Sequence, residues 1–259
     1  MSRNEVIDKV MTELEQSRFD RVLLFGVDNI RYIAGLSLPP LGNLITEPVA
    51  VLVQRNAEPV LFAPAWLKTT LRNLGSVSNV QVYTASGEHG VRAFSSTLQS
   101  VLQKAGAEKS EIGITERRVS PGLLSQLRSV LPGAAFTACD RWIAELRMVK
   151  TEYEQSQLIE AARRTDHGIC GAAHHVMVYA ARPEKGLSEI IRVHCIERGL
   201  DMVGYESLSI GASGEHAATP WPEAPYYGVG LGKYLQENEL VRMEMRASYN
   251  GYWSDAARM

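Results

Sequence analysis

Short apolar runs alternate with amphipathic helical segments over roughly the first 140 residues of the chain. That alternation constrains the fold more than any other feature, because strand–helix alternation implies an α/β domain. Asn4 to Glu15 carries apolar side chains at Val6, Ile7, Val10, Met11 and Leu14, the three-to-four spacing of an opening helix. Arg21 to Phe25 is a short apolar run closed by Gly26, and Asn29 to Gly35 with the Pro39-Pro40 turn then reads as strand, turn, strand. Pro48 to Gln54 and Pro59 to Ala63 flank the polar Arg55-Asn56-Ala57-Glu58, as a hairpin requires. Helices are predicted at Trp66 to Leu74, Val91 to Ala105 and Pro121 to Val130, with strands at Glu111 to Thr115 and Ala135 to Ala138.

After Asp140 the pattern becomes helical. From Arg141 to Tyr179 the spacing predicts helix, with Glu152-Tyr-Glu as a first turn and apolar positions at Leu158, Ile159, Ala162, Ile169 and Ala173. Pro183 to Gly186 ends it. Leu187 to Arg198 predicts a second amphipathic helix, with Ser188 as N-cap, Ile190, Ile191, Val193 and Ile196 on the apolar side, and Gly199 as its stop. A Gly- and Pro-rich stretch leads to a strand pair around Tyr249-Asn250-Gly251. Two domains are expected, 1–140 and 141–259.

A net charge of −2, with 22% charged and 45% hydrophobic residues, points to neither nucleic acid nor a membrane surface as partner. No stretch approaches the ~20 apolar residues that span a bilayer. Cys139, Cys170 and Cys195 are odd in number and unpaired in pattern, so a reducing cytoplasm is the expected compartment.

Four features in order resemble the creatinase/prolidase/aminopeptidase P, or pita-bread, metallohydrolases. Asn29-Ile-Arg-Tyr-Ile-Ala-Gly35 is similar to an N-x-x-Y-x-x-G segment of that family's N-terminal domain. Glu145-Leu-Arg-Met-Val-Lys150, followed by Glu152 and Glu154, resembles the junction into its catalytic domain. Pro183 to Glu189 looks like the start of that domain's second helix, and Ser213-Gly214 through Pro220-Trp221 like its substrate loop. Glu239 to Arg258 follows the family's first metal-binding hairpin. The resemblance implies a creatinase-type α/β domain followed by an incomplete α+β pita-bread domain.

The hairpin's chemistry can also be reasoned from its residues. Glu244 before the Tyr249-Asn250-Gly251 turn and Asp255 after it are expected to face each other across the ladder, where like charges destabilise unless a cation joins them. Oxygen ligands suit a hard or borderline divalent ion. The resemblance implies Mn, Co or Zn at Glu244 and Asp255 and cleavage of a C–N bond in a small amide or X-Pro peptide. His216, Trp221 and Arg246 are the expected substrate-binding residues.

This sequence departs from the family pattern at Glu244, where Asp is usual, at Arg246, where Gly is usual, and at Trp221, where a His contacts substrate. Those departures keep two alternatives open: a metal-independent, creatinase-like amidinohydrolase and a non-catalytic binding protein. The family's remaining ligands and general base would lie in roughly a hundred further residues. A second chain completing the catalytic domain is therefore expected, in a homo- or hetero-oligomer. His174-His175 read as core or helix-surface residues, Cys170 and Cys195 as small core residues, and Ser213-Gly-Glu-His216 lacks a nucleophile-elbow pattern.

Overall fold

The computed structural model describes residues 4–35, 47–69, 71, 77–85, 88–178, 183–201, 208–218 and 233–259. The chain divides into two units, Met1–Tyr153 and Glu154–Met259. In chain order the first contains α1 (Asn4–Gln16), β1 (Arg21–Phe25), α2 (Val27–Ala34), β2 (Ala50–Gln54), β3 (Ala57–Pro64), β4 (Asn79–Tyr83), α3 (Glu88–Lys104), β5 (Glu111–Ile114), α4 (Pro121–Val130), β6 (Ala135–Ala138) and α5 (Asp140–Met148). Its strands form one sheet in the order β4-β3-β2-β1-β5-β6. The β1–β2 and β2–β3 pairs are antiparallel, and β1–β5, β5–β6 and β3–β4 are parallel.

Every residue of β2 and the last four of β1 are buried, because helices cover both faces of the sheet. Val22, Leu24, Val51 and Val53 pack with Val6, Val10 and Leu14 of α1, Ile30 and Ile33 of α2, and Ile143 and Leu146 of α5. Alternate residues Leu23, Phe25, Leu52 and Phe62 pack with Phe94 and Leu98 of α3 and Leu123 and Leu127 of α4. Phe94 centres that second layer, its ring 5.7 to 6.0 Å from those of Phe25, Phe62 and Tyr83. α4 begins as its sequence dictates: the Ser120 hydroxyl accepts from the Leu123 N–H at 3.2 Å, with Pro121 in the first turn.

One expectation changes here, and one strand was not expected. Asn29 to Ala34 is helical rather than extended, since Asn29 Nδ2 donates to the Phe25 carbonyl at 2.8 Å and Gly35 closes the helix with a left-handed φ of 72°. Ile30, Ile33 and Ala34 suit a helix as well as Ile30, Tyr32 and Ala34 suit a strand, and packing against the sheet decides. No expectation covers β4, although Asn79, Gln81 and the valines between and after them alternate polar and apolar, the period-2 pattern of a half-buried strand. The helix predicted at Trp66 to Leu74 opens as a 3₁₀ turn at Ala65–Leu67 and is α-helical at Lys68, Thr69 and Leu71, while residue 70 and residues 72–76 lie outside the described residues. The Pro39-Pro40 turn also lies outside them.

Two motifs distant in sequence meet within this unit. Arg147 donates to Asp28 Oδ2 and Asn29 Oδ1, both at 3.0 Å, and its guanidinium lies 5.6 Å from the Tyr32 ring centre. Burial pushes the Asp28 carboxyl up, but the Arg147 hydrogen bond and the Arg118 and Arg147 charges outweigh it and hold it below its ordinary value. The expected domain boundary at 140/141 falls at the start of α5, whose Ile143 and Leu146 belong to this core.

The second unit is built on α6 (Glu152–Val178), α7 (Leu187–Glu197), β7 (Leu208–Ser213), β8 (Val241–Tyr249) and β9 (Tyr252–Arg258), with strand order β7-β8-β9. α6 buries Ala161, Thr165, Gly168 and Ala172 together with Ile169 and Val176; of the expected apolar positions Ile169 is inside, whereas Ile159 is 67% exposed. The small residues let α7 come close, since a Cβ added at Gly168 would stand 3.1 Å from the Cys195 Cα. α7 likewise buries Leu187, Ser188, Ile191 and Cys195, leaving Val193 and Ile196 nearly half exposed. Ser188 is not the N-cap, a place held by Gly186; its hydroxyl accepts the Gly211 N–H at 3.1 Å and ties α7 to β7.

Cys195 is buried as expected, whereas Cys170, expected in the core, is exposed because it lies off the face of α6 that carries Gly168, Ile169 and Ala172 inward. Among the described residues no helix is long and apolar enough to cross a membrane. A Cβ at Gly211 would lie 3.0 Å from the Leu187 carbonyl carbon. Gly211→Ala should therefore lower unfolding stability by about 1–3 kcal/mol. Urea denaturation checks this, and an unchanged midpoint would contradict the close α7–β7 contact.

Candidate functional site

The site begins with a turn. Asn250 and Gly251 have φ of 50° and 82°, the paired positive values of a two-residue hairpin turn, which the Asn-Gly pair adopts with little strain. Asn250 is held further by its N–H donating to Asp201 Oδ2 at 3.0 Å and its Nδ2 donating to Gln157 Oε1 at 2.8 Å. From that turn the ladder runs Tyr249 opposite Tyr252, Ser248 opposite Trp253, Ala247 opposite Ser254, Arg246 opposite Asp255, Met245 opposite Ala256 and Glu244 opposite Ala257.

Strand alternation then sorts the side chains. Met243, Met245 and Ala247 pack with α6 and α7 through Ile169, Ala172, Leu187 and Ile191. On β9 the same face carries Ser254, 2.5 Å from the Thr165 hydroxyl, and Arg258, which donates to Asp166 Oδ1 at 2.6 Å. The opposite face carries Arg242, Glu244, Arg246 and Ser248 of β8, Trp253, Asp255 and Ala257 of β9, and Ile210 and Ala212 of β7.

Glu244 and Asp255 thus share a face but are not directly opposite. Asp255 is exposed and stands across from Arg246, and Glu244 stands across from Ala257, so the two carboxylates are diagonal neighbours. The ladder register is the reason. As oxygen donors on one face they fit as two ligands of a hard or borderline divalent ion, with the longer Glu244 side chain giving reach along the diagonal. Among the described residues no third Asp, Glu, His or Cys completes a metal-binding group with them.

Arg246 is the competing cation. Its Nε is buried and has no hydrogen-bond partner among the described residues, and the hydroxyl of Ser248, fully buried on the same face, is equally unpartnered among them. Trp221 lies outside the described residues.

His216 is built into a different network. It sits in the 3₁₀ turn Gly214–Ala218 with Nδ1 2.7 Å from Oε2 of Glu184, a carboxylate with no exposed side-chain surface. The other Glu184 oxygen accepts the Ser213 N–H at 2.7 Å and the Ser213 hydroxyl at 3.2 Å. Ser213 is wholly buried and donates to Glu184, which removes it as a nucleophile. Glu184 therefore fixes the loop that carries His216, whose Nε2 lies 4.0 Å from Glu215. Sequence reasoning misses Glu184 and Ser248. Glu184 lies next to a recognised Pro183, but nothing in spacing couples it to His216, and a serine in a strand carries no signal of its own.

Residues 7–149 match the family model described as Creatinase/Prolidase N-terminal domain, and residues 133–259 match Metallopeptidase family M24. The Xaa-Pro dipeptidase of Lactobacillus helveticus is 25% identical over 257 residues, which are 97% of this chain and 64% of that protein. The Xaa-Pro dipeptidase of Pyrococcus horikoshii is 22% identical, over 98% of this chain and 63% of that protein. The chain thus spans a little under two thirds of the length of these curated relatives.

Among solved structures, the prolidase from Pyrococcus furiosus matches with a TM-score of 0.69 at 20% identity, over 97% of this chain and 69% of that one. The X-Pro aminopeptidase from Thermotoga maritima MSB8 matches with a TM-score of 0.74 at 18% identity, over 97% and 63%. At these identities the likeness is one of fold: the chain has the creatinase-type N-terminal architecture followed by pita-bread elements.

Glu184→Ala strips acceptors from two buried Ser213 donors and from His216. Stability should fall by at least about 2 kcal/mol, whereas His216→Ala, which keeps the Ser213 bonds, should cost less. Chemical denaturation of both variants measures the difference; equal losses would remove Glu184 as the organiser of this loop.

Proposed function

The chain belongs to the creatinase/prolidase (M24) family, and from that membership we propose that the protein hydrolyses a C–N bond in a small amide or X-Pro dipeptide at the Glu244–Arg246–Asp255 face. The observation that carries this reading is the hairpin register. It puts two carboxylates and a guanidinium on one face while the helices take the other. Dipeptidase names among the relatives support the substrate class.

In this reading Glu244 and Asp255 hold a divalent ion, Mn, Co or Zn. When bound, that ion polarises a carbonyl and acidifies a water. Arg246 carries positive charge beside the carboxylates and attracts an anionic group of the substrate. His216, with Nδ1 engaged by Glu184, presents Nε2 as its remaining ring nitrogen toward substrate. Glu184 keeps that ring from turning, and a fixed donor or acceptor loses less entropy on binding.

The position of Arg246 directly opposite Asp255 favours one second reading, in which side chains alone carry the proton transfers, as in a creatinase-like amidinohydrolase. Metal analysis and turnover of the full-length protein separate the two. Stoichiometric Mn, Co or Zn lost with activity in Asp255→Ala, with kcat/KM down by more than about a hundredfold, supports the metal reading. Turnover without stoichiometric metal supports the second, and failure to hydrolyse X-Pro dipeptides, creatine or cyclic amides would sink both.

A further inference from the structure

A crevice opens in the first unit at the end of its sheet. β1 and β5 are parallel neighbours whose connections leave to opposite faces. β1 leads to α2, whose Ile30 and Ile33 join the core layer under α1, and β5 leads to α4, whose Leu123 and Leu127 join the layer under α3. Connections that part in this way leave a gap beyond the carboxyl ends of the strands, and α/β sheets bind ligands in such gaps. Here the gap is a cavity of about 180 Å³ lined from both layers, by Val49 from one and Phe25 and Leu123 from the other, together with Val27, Arg118 and Ser120. Gly26 also lines it and keeps it open, since a Cβ there would stand 3.1 Å from Cγ of Arg118.

The walls select the ligand. Phe25, Val27, Val49 and Leu123 are apolar, and the volume is slightly above the roughly 150 Å³ that holds a benzene ring in an apolar protein cavity. Arg118 supplies the charge. It belongs to the turn Glu116–Arg118 after β5, which Asp140 pins by accepting the Glu116 and Arg117 N–H groups at 2.9 and 3.2 Å. Among the described residues its side chain bonds Asp28 Oδ2 alone, at 3.3 Å, longer than the about 2.8 Å of a strong charge-assisted bond. Arg147 donates to the same oxygen at 3.0 Å, so two guanidiniums share one carboxylate. Arg118, half exposed, therefore keeps donors for a second anion. The Ser120 hydroxyl accepts the Leu123 N–H, which leaves its own proton to donate.

We propose that this crevice binds a small monocarboxylate with an apolar body of ring size, the carboxylate held by Arg118 and Ser120 and the body by Phe25, Val27, Val49 and Leu123. The site lies wholly within the first unit and stands whether or not the hairpin face hydrolyses amides. A neutral molecule of the same shape loses the charge-assisted bonds to Arg118, and inorganic phosphate forfeits the apolar contacts, so both bind more weakly.

The test is calorimetric titration of the full-length protein with benzoate, benzamide and inorganic phosphate. Benzoate is expected to bind at least about tenfold more tightly than either of the others. Arg118→Gln should weaken benzoate by about ten- to a hundredfold, and Arg118→Lys by less. Val49→Phe, which fills the cavity and keeps the charge, should abolish binding, whereas Arg246→Ala, which removes the hairpin guanidinium, should leave it unchanged. Thermal melts check that each variant is folded, and Arg118→Gln alters a half-exposed side chain, so it decides the matter even where Val49→Phe unfolds the protein. Benzoate that fails to bind, or binds no better than benzamide and phosphate, overturns the site. So does benzoate binding that survives Arg118→Gln or is lost in Arg246→Ala.

Discussion

The ladder between β8 and β9 governs the second unit, and its register rests on two residues in left-handed backbone conformations. With Asn250 and Gly251 both at positive φ, the turn has the twist that two antiparallel strands need, and pairing proceeds without a bulge from Tyr249–Tyr252 to Met243–Arg258. A slip of one residue would turn Met243, Met245 and Ala247 out of the core and drive Glu244 and Arg246 into the helices. Burial of those apolar side chains against α6 and α7 therefore fixes where the charges go. The site face is the complement of a hydrophobic requirement.

That requirement depends on close helix–sheet contact. α7 reaches β7 because Gly211 has no side chain to hold Leu187 away, and the Ser188 hydroxyl takes the Gly211 N–H. α6 reaches α7 through Gly168 in the same way. Immediately before α7, Glu184 gathers Ser213 and His216 around one buried carboxylate, which fixes the end of β7 and the turn after it. Helix placement, loop placement and the hairpin face are thus one connected arrangement within this unit.

Much of this is legible in the sequence where one physical signal dominates. The hairpin turn follows from Asn-Gly, α4 from Ser120-Pro121, and β1 and β2 from unbroken apolar runs. Local patterns mislead where two periodicities compete or where packing distance matters more than hydrophobicity. Asn29 to Ala34 satisfies both helix and strand spacing, and the sheet beneath it selects helix. On α6 and α7 Ile159, Val193 and Ile196 look like the core yet are exposed, while Ile169, Leu187 and Ile191 pack with the sheet and Gly168 lets the two helices approach at Cys195. The two expected ligands do share one face, but their diagonal offset is defined only by pairing across the ladder.

The sequence by itself determined the family, the order of strands and helices through most of the chain, and the identity of the charged residues on the hairpin, because those are carried by local patterns and by residues at fixed spacing. Tertiary structure decided which partners those residues meet. Arg246 faces Asp255, Glu244 is offset from it, Ser248 is buried without an acceptor among the described residues, and His216 is tied to a glutamate 32 positions away in the chain. The physical reason is that cross-strand register, burial and hydrogen-bond satisfaction join residues distant in sequence, and they exist only once the apolar faces have closed on one another.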